Sequence, residues 1–115
     1  MRRMLGVQEI EDIAVGAAVL GSGGGGDPFI GKLMTLQAIE RYGPVELVTP
    51  DELPGDSLAV SSAMMGAPTV MVEKIPAGNE ADGALQRMAD VLGREIKATM
   101  PIEAGGVNSM IPIAV

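Results

Sequence analysis

The sequence predicts an α/β fold: a layered αβα domain around a mostly parallel sheet. Three observations predict it. After Gly43, segments with strand character alternate with segments of helical period. The chain is 47% apolar, yet it has one Phe, one Tyr and no Trp, so its core is built from Ala, Val, Ile, Leu and nine Met. Small aliphatic cores suit sheets covered by helices on both faces. No repeat, low-complexity tail or linker divides the 115 residues, which suffice for a single α/β domain over 1–115.

The elements follow in order. Gln8 to about Leu20 reads as a helix, with Ile10, Ile13, Ala14, Ala17 and Ala18 on one face and Glu9, Glu11 and Asp12 in the first turn. The glycine run 21–26 ends it. Asp27 and Pro28 fit the N-cap and first position of a second helix reaching about Tyr42, where Gly43-Pro44 stops it. Val45–Val48 is a short strand. Residues 49–56 form a loop with room for one helical turn. Ser57–Ala63 is a buried strand, broken by Met64–Pro68. Thr69–Val72 reads as a further short strand or an extended edge. A turn at Ile75–Gly78 leads to a helix from Asn79 or Glu80 to Leu92, ended by Gly93. Ile96–Ile102 is a strand, residues 103–108 are a turn, and a helix starts near Ser109. Only three or four strands are visible, and Ile113-Ala114-Val115 is apolar and uncapped. The chain is therefore expected to be the front part of something longer, or to complete its sheet with a partner; a homo-oligomer fits the second case.

Charge narrows the partners. Eight Lys and Arg against 15 Asp and Glu give a net charge of −7, with a pI near 4.4 and a mean hydropathy of +0.30. A nucleic-acid partner needs a basic patch, and anionic membrane surfaces repel such a chain. The absence of Cys and His removes thiolate nucleophiles, imidazole bases, disulfides and the usual zinc ligands. Apolar runs are far below membrane-spanning length. The basic Arg2-Arg3 start meets Gln8, Glu9, Glu11 and Asp12 at once, leaving no room for a signal sequence, so the expected location is cytoplasmic. Metal and cofactor requirements stay open.

The run Gly21-Ser22-Gly23-Gly24-Gly25-Gly26-Asp27 stands out. Such a run suits positive φ or very close approach to the backbone. It satisfies G-x-G-x-x-G, but a dinucleotide site needs a strand before it and an acid at the end of a second strand. Here a helix precedes it, and Glu46 lies within its strand. Residues 26–32 fit G-x-x-x-x-G-K, but Leu33 follows where a P-loop needs Ser or Thr, and Asp27-Pro28 damages the cradle. The alternative to a ligand loop is a glycine connection that lets two helices pack closely.

Glu103 follows a strand, and ligands in open α/β sheets bind outside the carboxyl ends of strands. Glu103 is read either as a site carboxylate or as a solvated loop group, and Asn108 either as a ligand group or as a helix N-cap. Met64 and Met65 suit a pocket wall or core filling. Lys74 is a candidate partner for an anion, or a surface lysine.

Four blocks occur in order: Leu20–Pro28, Ala63–Thr69, Val72-Glu73-Lys74 and Met100–Ser109. Together they resemble the N-terminal domain of the S-methyl thiohydantoin desulfurase-like family, long called domain of unknown function 917 and associated with hydantoin utilisation. The resemblance spans nearly the whole chain. It implies an α/β N-terminal domain followed by a β-rich domain, and removal of sulfur from a thiohydantoin ring by a hydrolytic or C–S lyase-type step. Matched to those blocks, the pocket is expected at Gly23, Gly24, Gly25, Gly26, Met65, Gly66, Thr69, Glu73, Lys74, Gly105, Gly106 and Asn108. Glu103 is the expected general base, and Asp27 is expected to orient a ring N–H. The substrate would be a small cyclic amide or thioamide, and the 115-residue chain is expected to be inactive alone. The alternatives are a non-catalytic module binding an anion or nucleotide on the glycine loop, or an assembly piece.

Overall fold

A computed structural model describes residues 2–115. Strand β1 (Arg3–Leu5) opens the chain. Helix α1 (Val7–Gly21) follows, and Glu9 accepts the Gly6 N–H at 2.9 Å to close its first turn. This bond is the main reason the Glu9 carboxyl titrates below its usual range. Ser22 terminates the helix in the left-handed conformation, φ 47°. Helix α2 (Pro28–Tyr42) starts as the sequence predicts: Pro28 sits in the first turn, and the Asp27 carboxylate accepts the Phe29 N–H at 2.9 Å.

Strand β2 (Val45–Leu47) runs antiparallel to β1, with Met4 opposite Glu46. The helical turn allowed for in the next loop is a 3₁₀ turn at Pro50–Glu52. Strand β3 (Leu58–Ser61) is followed by helix α3 (Thr69–Glu73) and helix α4 (Glu80–Leu92). Strand β4 (Ile96–Met100) then pairs parallel to β3, completing a β–α–β crossover. A 3₁₀ turn at Val107–Ser109 leads into the short helix α5 (Ile111–Ala114).

Two findings differ from the sequence expectation. The strands form two separate two-stranded sheets, one antiparallel and one parallel, instead of one mostly parallel sheet. Thr69–Val72 is helical, not extended. Its β-branched residues are overruled by burial of Met71, which packs with Val107 and Ile111 when the segment coils.

The core centres on the last quarter of the chain. Residues 105–108 and 110–113 are all buried. Met110 and Ile113 join Leu5, Ile10, Ala14 and Ile39 in one cluster, and Val107 and Ile111 join Met71 in another. The β3–β4 pair is only half-buried, and α4 has no buried residue at all.

Candidate functional site

The glycine run lies against a second glycine segment, not against open space. A Cβ built on Gly105 would stand 2.6 Å from the Gly21 nitrogen, and one on Gly106 would stand 2.6 Å from the Gly24 carbonyl oxygen. One on Gly21 would stand 2.8 Å from the Gly106 nitrogen, and one on Gly25 would collide with the Gly105 carbonyl. Real Cβ atoms do not approach so closely, so both segments require glycine for backbone-on-backbone contact. The Gly106 N–H donates to the Ala17 carbonyl at 3.0 Å, and the Asn108 N–H donates to the Gly25 carbonyl at 3.3 Å. Close packing explains much of the run: it joins α1 to α2, which pack on each other, and its glycines also press on residues 105–106. Gly23 alone in the run has nothing within 4 Å of a built Cβ.

Glycines 25 and 26 form one wall of a cleft of about 270 Å³. The loop leaving β3 forms the second wall, with Met64, Met65 and Gly66, continued by Val70 and Met71 of α3. The loop leaving β4 forms the third, with Ile102, Glu103 and Asn108. The cleft thus sits outside the carboxyl ends of a parallel strand pair, where open α/β sheets bind ligands. Its size suits one small ring, at the lower end of ligand-site volumes. A larger hollow between the end of α2 and the start of α4 is lined by none of the residues expected from the sequence.

Asn108 ties the three walls together. It is 5% exposed. Its Oδ1 accepts the Met64 N–H at 2.8 Å, and its Nδ2 donates to Glu103 Oε1 at 2.7 Å. It lies inside the 3₁₀ turn, so the N-cap alternative does not hold; Gly106 precedes that turn. Glu103 is exposed and, among the described residues, is the only charged group lining the cleft.

The structure brings Gly25, Gly26, Met65, Gly66, Glu103 and Asn108 of the expected site into one cleft. Gly105 and Gly106 are buried behind it as the packing partners of the glycine run. Gly23 and Gly24 are exposed and do not line it, and Asp27 is engaged as the α2 cap. Thr69, Glu73 and Lys74 are exposed on and after α3, outside the lining. The sequence reading missed Val70, Met71 and Ile102 as lining residues. Met64 serves both of its suggested uses, packing on the core cluster and facing the cleft. The misassigned strand at Thr69–Val72 hid Val70 and Met71, because a helix turns a different set of side chains inward.

Phosphate templates fare poorly. Lys32, the residue a P-loop would aim at a phosphate, pairs with Glu11 at 3.1 Å and lies 5.6 Å from the centre of the Phe29 ring. Glu46, in the place of a ribose-binding acid, pairs on the surface with Arg2 at 2.9 Å. Among the described residues, no group of three or more acidic side chains gathers as a metal site, and no helix is long and apolar enough to cross a membrane.

These features define an α/β domain with a small, methionine-lined cleft at the ends of a parallel strand pair. A family model described as the S-Me-THD-like N-terminal domain matches residues 8–115. The chain belongs to that family. Neither a curated protein nor a solved structure matches the chain significantly.

Proposed function

We propose that the cleft binds a small, uncharged cyclic amide or thioamide, such as a hydantoin or S-methyl thiohydantoin, as the N-terminal half of a hydrolytic desulfurase. One observation carries this reading: an acceptor carboxylate, Glu103, held by the Asn108 amide, stands in a cleft otherwise lined by thioether, aliphatic and backbone groups, with no cation among the described lining residues. An anion would meet Glu103 without a partner, and a purely apolar ligand would leave Glu103 desolvated. A planar ring with N–H edges satisfies both demands, and thioethers pack well on polarisable sulfur.

In this reading Glu103 takes a proton from water, and the hydroxide adds to the ring carbon that bears sulfur. The C–S bond then breaks, and Glu103 returns the proton to the departing thiolate. Ring, water and thiol balance without a redox partner. Among the described residues, the Gly25 and Gly26 N–H groups donate to no protein acceptor, so they are free to stabilise negative charge on the ring during addition. Catalysis would need the rest of a two-domain protein, and the isolated chain would bind without turnover.

Calorimetric titration of the chain with S-methyl thiohydantoin, hydantoin and ATP tests the binding claim. Heats with the rings, lost in Glu103→Gln, are expected. Binding of ATP with no response to either ring would support the nucleotide-binding alternative instead.

A further inference from the structure

We infer that Asn108 is a positioning residue that presents Glu103 to the cleft as a pure acceptor and so selects ligands carrying N–H groups. The inference rests on the reading of the cleft given above. The orientation of the amide is dictated by chemistry. The Met64 backbone N–H can only donate, so the Asn108 atom facing it at 2.8 Å must be the oxygen. The NH₂ group then faces Glu103 Oε1 at 2.7 Å, and Oε1 must accept. Asn108 cannot turn over without setting N–H against N–H at Met64. Its own N–H is held by the Gly25 carbonyl at 3.3 Å. Burial at 5% exposure makes loss of either bond costly.

The consequence is a one-sided hydrogen-bond code. With Oε1 taken by Asn108, the second oxygen of the exposed Glu103 carboxylate is left to receive a donor from a ligand. A ring N–H matches it; a carbonyl edge or an anion in the same place does not. A neutral asparagine achieves this where an aspartate would not, since an aspartate at this position would set a second carboxylate against Glu103. A glutamine would be too long for the Met64 bond.

Two measurements test this, and the first needs no ligand. In ¹H–¹⁵N spectra of the free chain, Glu103→Ala should move the Asn108 side-chain NH₂ signals; unmoved signals overturn the inference. The second uses polarity exchange. Asn108→Asp keeps the acceptor for Met64 but faces Glu103 with a like charge, so it should lower the melting temperature and weaken hydantoin binding by about tenfold or more. The double variant Asn108→Asp/Glu103→Gln restores a donor–acceptor pair of reversed sense. It should recover the melting temperature and part of the hydantoin affinity, because the amide oxygen at position 103 then faces the ligand as a neutral acceptor. Wild-type protein should also bind 1,3-dimethylhydantoin, whose ring N–H groups are blocked, about tenfold or more weakly than hydantoin. Equal affinity for the two rings, or an Asn108→Asp affinity within about twofold of wild type, overturns the inference. If wild-type protein binds no ring at all, the proposed function fails, while the spectra and the melting-temperature cycle still decide whether Asn108 orients Glu103.

Discussion

Among single residues, the glycines divide into two kinds. Gly21, Gly25, Gly105 and Gly106 have no room for a methyl group, because each faces the backbone of another of them. Gly23 has room, and only its φ of +92° restrains it. Gly105→Ala should therefore destabilise the chain by about 3 kcal/mol or more through overpacking. Gly23→Ala should cost about 1 kcal/mol, the strain of a side chain at positive φ. Chemical denaturation of the two variants checks the contrast, and equal losses would contradict it. The importance of the run was legible from Gly21–Gly26 alone. Its partner was not, because Gly105-Gly106 lies some eighty residues away and no local pattern pairs the two segments. Asn108 reads from the sequence as a pocket residue or as a cap, and only the fold shows it between Met64 and Glu103.

At the scale of elements, α1, α2 and α4 were legible because apolar spacing, Asp27-Pro28 and the glycine stops agree on them. Strand β1 was missed because three residues cannot display an alternation; it exists through its pairing with β2. Helix α3 was misread because Thr69, Val70 and Val72 favour extended chain, whereas burying Met71 favours a coil. Turn carboxylates also leave a pH signature. Glu52 accepts the Thr49 N–H at 2.8 Å, and this bond leads in pulling its carboxyl from 4.5 down to about 2. Glu80 is lowered in the same way, first by the Ala77 N–H. A carboxyl with a depressed folded-state pKa stabilises the fold above its unfolded value and loses that contribution as pH falls through the folded one. The melting temperature should thus fall between pH 4.5 and about 2, and Glu52→Gln should flatten part of that decline. A variant whose melting temperature tracks wild type across that window would contradict this role.

For the whole molecule, the α1–α2 pair and the buried segment 105–113 hold most of the core, while β3, β4 and α4 are half-covered or open. Stability should follow the same division. Amides in α1 and α2 should exchange with solvent more slowly than those in α4 and β4, as native-state hydrogen exchange can show; uniform protection would contradict the division. The sequence announced the α/β class and the strands that become β2, β3 and β4. It could not announce that β1 and β2 pair apart from β3 and β4, since strand partnership depends on contacts across the fold. The cleft spans both parts: Met71, Val107 and Asn108 tie it to buried chain, while Met65, Gly66 and Glu103 are exposed.

The central claim is that this cleft, not the open glycine loop, receives the ligand. Chemical-shift mapping of the ¹⁵N-labelled chain with hydantoin tests it most directly. The account predicts shifts confined to Gly25, Gly26, residues 64–71 and residues 102–108, with Gly23 and Lys32 unmoved. Shifts centred on Gly23 and Lys32, or a response to ATP there and none to hydantoin at Glu103, would contradict it.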